Sequence, residues 1–214
     1  LYLGNHGVSQ GLDTVIEGLS RVERPVEIRF VGEGTERPRL QAQAAELGLV
    51  VDFHESVGPS EVWGHYEWAD SCLVPLRDWP SFHHTVPSKI YEIMATGRHM
   101  PAALAGEAAQ TVQQLGGGVV VPPEQPGALA DAVEALCLDP ASTTPMVDRE
   151  LLHRLADRGR LAEVYRALLD AVVAGTQHEL DLRDEIDLRP VKRGATEGGT
   201  AGARNQKLPS TSTP

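Results

Sequence analysis

The chain has 214 residues and a mass of 23.1 kDa, enough for one domain of ordinary size or for two small ones. Its 41% hydrophobic and 23% charged residues are typical of a globular protein, and no apolar run approaches the roughly 20 residues that span a bilayer. The net charge of −11 argues against nucleic acid as a partner, because binding to phosphates depends on an excess of Lys and Arg.

Short apolar runs alternate with longer stretches of helical period, which is the pattern of βαβ units around a parallel sheet. The predicted strands cover, in chain order, residues 1–3, 26–31, 50–53, 71–75, 100–104 and 119–121. The predicted helices cover residues 11–22, 37–47, 60–68, 88–96, 107–115 and 126–138, followed by a last helical stretch over 149–173. We therefore expect an α/β fold in which a parallel sheet is flanked by helices.

The predicted strand at 100–104 is the weakest of the six. It contains Pro101, which lacks the N–H group that a central strand donates to its neighbour. We therefore expect a damaged or diverged element at this place. The strand at 119–121 consists of three consecutive valines, which is typical of a strand covered by helices on both faces.

The composition changes near Thr176, where Gly, Thr, Ser, Pro and charged residues replace periodic apolar ones. The prediction is one domain over residues 1–177 and a disordered tail over 178–214. Acidic and basic residues balance in that tail, so the excess of negative charge belongs to the domain. The two cysteines, Cys72 and Cys137, indicate no disulfide framework and fit a reducing cytoplasm.

A glycine-rich segment lies between the first predicted strand and the first predicted helix, with the sequence Gly4-Asn5-His6-Gly7-Val8-Ser9-Gln10-Gly11. Such a loop presents backbone N–H groups and a helix N-terminus at the carboxyl edge of a sheet, where diphosphates bind. A plain βα turn that uses glycine for its positive φ angles is the alternative. The dinucleotide fingerprint Gly-x-Gly-x-x-Gly does not fit the loop, and Gly32-Glu33-Gly34 after the second strand is a weak signal.

A second candidate site is the predicted helix that begins after Pro87. Ser88 is a plausible N-cap residue, and Lys89 lies in the first turn, where a cation opposes the helix dipole. An anionic ligand at the helix start would explain Lys89, and ribose hydroxyls would satisfy the carboxylate of Glu92. In the simpler alternative, Lys89 is solvated and Glu92 is an exposed acid of the helix.

The remaining polar residues give no recognisable catalytic or metal-binding pattern. His83 and His84 are adjacent in a loop without a second cluster of ligand spacing, so we expect no metal site and no cofactor. The sequence also has no Gly-x-Ser-x-Gly elbow and no recognisable Ser/His/Asp order, which leaves the catalytic residues unknown.

Several segments taken together resemble the C-terminal half of family 4 retaining glycosyltransferases over residues 1–139. The bacterial amino-sugar transferases of cell-surface polysaccharide assembly are the most similar subgroup. The segments that carry this resemblance are Tyr2-Leu3-Gly4-Asn5-His6-Gly7, Gln10-Gly11-Leu12-Asp13, Phe30-Val31-Gly32-Glu33-Gly34, Val74-Pro75-Leu76, Val86-Pro87-Ser88-Lys89-Ile90-Tyr91-Glu92-Ile93-Met94-Ala95-Thr96-Gly97, Gly106-Glu107, Gly118-Val119-Val120-Val121-Pro122-Pro123 and Pro126-Gly127-Ala128-Leu129-Ala130.

The resemblance implies the GT-B fold, in which two Rossmann-like domains face each other and the C-terminal one holds a nucleotide-sugar donor, here UDP-linked by preference. The implied contacts are Gly4, Asn5, Gly7 and Gly11 to the diphosphate, Ser88 and Lys89 to phosphate or sugar, and Glu92 to ribose. Transfer would keep the anomeric configuration and need no metal. Two positions depart from the family pattern: Gln10 replaces a basic residue, and His84, the candidate contact to the donor sugar, replaces an acid.

The resemblance also implies partners outside the sequence. A glycan or lipid-linked acceptor would bind to an N-terminal domain, and Leu1, which stands in the first strand without a preceding Met, would then begin the second domain of an enzyme. A lipid-linked acceptor would bring the protein into peripheral contact with the inner face of the membrane. The alternatives are a non-catalytic nucleotide-sugar-binding remnant and a nucleotide-sugar epimerase, while a dehydrogenase fits least because the cofactor fingerprint fails.

Overall fold

The structure, a computed structural model, describes residues 1–176. Six parallel strands form two hydrogen-bonded groups, in the order β1-β2-β3 and β4-β5-β6. The strands are β1 (Tyr2–Leu3), β2 (Arg29–Val31), β3 (Asp52–His54), β4 (Val74–Pro75), β5 (Met100–Ala103) and β6 (Gly118–Val121). The helices are α1 (Leu12–Leu19), α2 (Arg37–Glu46), α3 (Pro59–Trp68), α4 (Ser88–Thr96), α5 (Gly106–Leu115), α6 (Pro126–Leu138), α7 (Arg149–Ala156) and α8 (Arg158–Ala174).

Backbone hydrogen bonds beside β1 join the two groups of strands. The Leu73 N–H donates to the Leu1 carbonyl at 2.7 Å, and the Leu1 nitrogen donates to the Ser71 carbonyl at 2.9 Å. The spatial order is therefore β3-β2-β1-β4-β5-β6, the order of a doubly wound Rossmann-like sheet. The order reverses between β1 and β4, and ligands of such sheets bind in the crevice outside the carboxyl ends of the strands at that point.

Neighbouring residues along the strands face two separate hydrophobic clusters. Phe30 packs with α1, α2 and α6, whereas Val31 packs with α3, α4, α5 and α7. Leu73 and Val74 divide between the same two clusters. Because side chains alternate between the faces of a strand, the two clusters lie on opposite sides of the sheet. The predicted α/β fold with helices on both faces is confirmed.

Strand β5 forms in spite of its proline, so the expectation of a damaged element is wrong. The carbonyls of His99 and Ala103 accept hydrogen bonds from Cys72 and Leu76, on the β4 side of the strand. Pro101 lies two residues from each, so its missing N–H also faces β4. Pairing with β6 is complete from Met100 to Ala103, because Pro101 takes no donor away from that side.

The predicted helical stretch over 149–173 is confirmed, and the structure divides it into α7 and α8 at Asp157. This residue ends α7 in extended conformation (φ −71°, ψ 102°), and its carboxylate accepts hydrogen bonds from Gly159 and Arg160 at 2.8 and 3.1 Å. Within residues 1–176, no helix is long and apolar enough to cross a bilayer. The predicted tail over 178–214 lies outside the described residues.

Candidate functional site

The glycine-rich loop after β1 lies at the point where the strand order reverses. Gly4 has a φ of 145° and donates to the Val31 carbonyl at 2.9 Å, which extends the pairing of β1 with β2 into the loop. Gly11, in left-handed conformation (φ 60°), ends a short 3-10 turn and is the N-cap of α1. The described residues offer no acceptor to the N–H groups of Asn5 and Gly7. The loop therefore has free donors at the edge where an anion would bind.

The second glycine segment, Gly32-Glu33-Gly34, packs against the backbone of the glycine-rich loop. The His6 N–H donates to the Glu33 carbonyl at 2.7 Å, and the Glu36 N–H donates to the His6 carbonyl at 2.9 Å. A Cβ atom on Gly34 would overlap the His6 carbonyl, and one on Gly32 would overlap the carbonyl of Gly4. The glycines of this segment are thus required by close packing of two backbones.

Lys89 reaches under the glycine-rich loop from the start of α4, which brings two of the predicted site segments together. Its Nζ lies 2.6 Å from the position that a Cβ atom on Gly4 would occupy. Nζ donates to the Leu3 carbonyl at 3.1 Å and to the Tyr2 hydroxyl at 3.4 Å, and it lies 4.5 Å from the centre of the Tyr2 ring. Burial lowers the pKa of Lys89 to about 8, although Glu92 acts in the opposite direction.

The ammonium of Lys89 has only uncharged hydrogen-bond partners in the described chain, the carbonyl and the hydroxyl above. A half-buried cation without a bound carboxylate is costly, and an anion in the adjacent loop would offset that cost. The simpler alternative of a solvated Lys89 does not hold.

The start of α4 leaves its first N–H groups without a side-chain cap. The N-cap residue is Pro87, and Ser88 is the first helical residue, so the expectation that Ser88 caps the helix is wrong. The ring of proline has no oxygen that could accept from the first turn. Ser88 is exposed beside Lys89, and the positive end of the helix dipole points in the same direction.

Glu92 lies one turn further along α4 and is exposed, as the simpler alternative predicted. Its carboxylate is close enough to the buried Tyr66 to raise the pKa of that hydroxyl, after the larger effect of burial. Exposure leaves the carboxylate open to hydroxyl groups of a ligand.

An ion-pair network that the sequence reasoning missed fixes the same edge of the sheet. Arg77 donates to both carboxylate oxygens of Asp13 at 2.7 and 2.8 Å and to Glu124 at 2.8 Å. Burial acts to raise the pKa of Asp13, but the hydrogen bonds and charge of Arg77 bring it below its ordinary value. The three residues follow β1, β4 and β6, so no local pattern in the sequence could have shown their contact.

The loop between β4 and α4 places His84 on the outer rim of the site. His84 is 82% exposed, and its Nδ1 lies 3.1 Å from Glu107 at the start of α5. The preceding His83 holds the loop in place, because its carbonyl accepts from the Glu107 N–H at 2.8 Å. His84 is thus open to a ligand and does not contact the glycine-rich loop directly.

A separate cleft of about 650 Å³ lies at the opposite edge of the sheet, where the strands begin. It contains none of the predicted site residues. Its lining combines apolar residues such as Leu1, Trp68 and Leu73 with the acids Glu27 and Asp70. Topology and the position of the predicted site residues therefore favour the carboxyl edge of the sheet over this cleft.

The model of the family named "Glycosyl transferases group 1" matches residues 1–139. This segment includes β1 to β6, the glycine-rich loop and α4. The chain belongs to the group 1 glycosyltransferases. The resemblance stated from the sequence is thereby confirmed.

This group 1 glycosyltransferase is 30% identical over 165 residues to WcaI of Escherichia coli (strain K12), a candidate colanic acid biosynthesis glycosyl transferase. The alignment covers 74% of this chain and 39% of WcaI, so the chain spans well under half of the curated relative that it matches.

Solved structures of glycosyltransferases share the fold at low identity. HepE of Anabaena, in complex with UDP and glucose, has a TM-score of 0.63 at 20% identity, over 78% of this chain and 48% of HepE. Sucrose-phosphate synthase of Thermosynechococcus elongatus has a TM-score of 0.64 at 24% identity, over 79% and 45% of the two chains. The C-terminal domain of LpcC from Francisella tularensis has a TM-score of 0.54 at 19% identity, over 69% and 80%. These neighbours fit the C-terminal half of a GT-B glycosyltransferase.

Proposed function

We propose that this chain is the donor-binding half of a retaining glycosyltransferase and that it holds a nucleotide sugar, with UDP as the preferred nucleotide. The observation that carries the proposal is the ammonium of Lys89, which lies under the glycine-rich loop and, within residues 1–176, has hydrogen bonds only to uncharged groups. The HepE structures, which contain UDP or UDP-glucose, support the choice of UDP.

The diphosphate would lie against the loop from Gly4 to Gly11 and the start of α4. The free N–H groups of Asn5 and Gly7 would donate to its oxygens, and Ser88 and Lys89 would reach phosphate or sugar from the other side. Each of these donors is stronger towards a charged oxygen than towards a neutral one. The ribose would lie one helical turn away, where its hydroxyls could donate to Glu92.

The same donors would assist the reaction. As the glycosidic bond to the nucleotide breaks, negative charge develops on the departing diphosphate, and fixed N–H groups and an ammonium stabilise that charge without rearrangement. Lys89 and the helix start would therefore act on the leaving group, and no metal ion is needed for this role.

Transfer itself requires an acceptor site that would lie on another domain, and the acceptor proposed is a cell-surface glycan or a lipid-linked sugar. The assignment of WcaI to colanic acid biosynthesis supports an acceptor of this class. A lipid-linked acceptor would place the reaction at the cytoplasmic face of the membrane.

Titration calorimetry with UDP, GDP and their sugars tests the proposal, with Glu92→Ala as the informative variant. We expect the variant to bind nucleotide about 1–3 kcal/mol more weakly, because ribose hydroxyls lose their acceptor. Removal of a negative charge would by itself strengthen binding to an anion, so a weakened Kd identifies a specific contact.

Glu163→Ala is the matched control, since it removes an exposed acid from α8. Its Kd should equal that of the unaltered chain. An unchanged Kd for Glu92→Ala would remove Glu92 from the site, and the absence of any nucleotide binding at millimolar concentration would contradict the proposal as a whole.

A further inference from the structure

An exposed aromatic pair stands on the loop between β4 and α4, on the same edge of the sheet as Lys89. The rings of Trp79 and Phe82 are stacked, with centroids 5.2 Å apart and an interplanar angle of 17°. Trp79 remains 41% exposed, and its indole N–H has no acceptor among the described residues. Phe82 thus supports an indole that is partly open to solvent.

Both ends of this loop are fixed to other parts of the candidate site. At one end, Arg77 donates from its backbone to Ser9 at 2.9 Å and from its guanidinium to Val8 at 3.2 Å, both in the glycine-rich loop. At the other end, His83 accepts from the first turn of α5. The aromatic pair is therefore held at the point where the strand order reverses, between the glycine-rich loop and α5.

Polar groups surround the aromatic pair. His83 Nε2 and Asp78 Oδ1 lie 2.7 Å apart, and both side chains are about half exposed. Val8, itself 49% exposed, adds an apolar neighbour in the loop to which Arg77 is bonded. A flat aromatic surface bordered by a carboxylate and an imidazole matches a ligand with one apolar face and hydroxyl groups at its edge.

We propose that Trp79, supported by Phe82, binds the apolar face of a pyranose ring during transfer. The C–H bonds on that face carry partial positive charge, and the π face of an indole is negative. The inference rests on the proposed function and goes further, because it assigns sugar recognition to an aromatic platform beside His84. The ring belongs either to the sugar of the donor or to a sugar of the acceptor, and both present the same face.

The three tryptophans, Trp63, Trp68 and Trp79, give three indole N–H signals in a proton–nitrogen NMR spectrum, and Trp79→Phe identifies the signal of Trp79 by its loss. We expect this signal to move when a UDP-hexose or methyl glucoside is added. Trp63 is the internal control, because it is 55% exposed on α3 and its indole donates to Glu67. Its signal should stay in place with both ligands.

The variant Trp79→Ala separates the two sources of the ring. If the bound ring is the sugar of the donor, the Kd of Trp79→Ala for UDP-hexose is about three- to tenfold higher than that of the unaltered chain, while its Kd for UDP is the same. If the ring is that of an acceptor, both Kd values stay the same, and the Trp79 signal of the unaltered chain moves with methyl glucoside.

The Trp79 signal and the loop amides distinguish failure of the platform from failure of the proposed function. If neither UDP-hexose nor methyl glucoside moves the Trp79 signal, the proposed aromatic platform is wrong. The proposed function would still hold if the Gly4 and Gly7 amide signals moved with UDP. Movement of the Trp79 signal with methyl glucoside, without any response of those amides to UDP, would support the platform and contradict the nucleotide site.

Discussion

Two basic side chains near the end of β1 are buried in different ways. Lys89 keeps hydrogen bonds to a carbonyl and a hydroxyl, and burial lowers its pKa to about 8. His6 is fully buried beside the rings of Tyr2, Phe30 and Phe53, and neither ring nitrogen has a hydrogen-bond partner in the described chain. Burial, with the positive charge of Arg37, lowers the pKa of His6 to about 4. Lys89 is thus placed to meet an anion, whereas His6 belongs to the core.

His6 makes the stability of the protein dependent on pH. The pKa of this side chain is 6.5 in the unfolded chain and about 4 in the folded protein. Between these two pH values His6 is therefore mostly protonated in the unfolded state and mostly neutral in the folded state, which favours unfolding. Between pH 7 and pH 5 this difference lowers the free energy of unfolding by about 2 kcal/mol.

The variant His6→Leu, which keeps an apolar side chain and has no ring nitrogen, isolates this contribution. Urea unfolding at the two pH values should show a loss of stability that is about 2 kcal/mol smaller in the variant. Equal losses in the two proteins would show that His6 takes up its proton in the folded state as well.

Among the elements, α7 and α8 differ in what they bury. Helix α7 places Leu151 and Leu152 in the core, and its N-cap Asp148 accepts from the Leu151 N–H at 2.9 Å. Helix α8 begins with an equivalent cap at Asp157 but buries none of its side chains. The same local device therefore supports one helix that is part of the core and one that is not.

Replacement of the two caps should accordingly have different effects. Asp148→Ala should lower the free energy of unfolding by about 1 kcal/mol, since the loss of the cap loosens a helix that packs in the core. Asp157→Ala should reduce the helical signal in circular dichroism and leave the global unfolding transition nearly unchanged. Denaturant unfolding of both variants checks this, and equal destabilisation would mean that α8 packs more firmly than its exposure indicates.

The sequence predicted the type and order of nearly all elements, because periodicity and caps are local signals. Its errors came from longer-range effects. The predicted strand 26–31 is reduced to Arg29–Val31, since strand length depends on the partner β1, which is itself two residues long. The division at Asp157 was missed because α7 and α8 are both apolar on one face, and periodicity alone does not show where the two part. The sequence does not show which neighbouring strand the nitrogen of Pro101 faces, and this decides whether the proline interrupts the pairing.

The site was predicted in parts, and the structure supplies their arrangement. Gly4 and Lys89 were both identified, but their contact joins residues that are 85 positions apart and depends on the strand order. The Arg77 network and the aromatic pair at Trp79 gave no motif, because ion pairs and stacked rings across a loop have no fixed spacing in a sequence.

For the molecule as a whole, the domain assignment predicts that residues 1–177 fold and bind nucleotide without the remaining chain. A chain that ends at Gln177 should match the full chain in unfolding free energy and in its Kd for UDP. A chain that ends at Val147 is the control, because it lacks the buried Leu151 and Leu152 and should be clearly less stable. Destabilisation of the first truncation would place part of the folded domain beyond residue 177.

The negative charge of the chain makes the local cation at the site more significant. A protein with a net charge of −11 repels a diphosphate at long range, so binding depends on donors that lie close to the phosphates. Lys89 is the charged donor that α4 brings under the glycine-rich loop, and the proposed donor site depends on it most.

The most direct test compares the affinities for UDP and uridine in the unaltered chain and in Lys89→Met, which keeps the length of the side chain and removes its charge. We expect Lys89→Met to weaken UDP binding by about tenfold or more and to leave uridine binding unchanged, because uridine has no phosphate. Arg166→Met, a change at an exposed cation of α8, should alter neither affinity. Equal affinities of the unaltered chain and Lys89→Met for UDP would show that Lys89 does not contact the diphosphate.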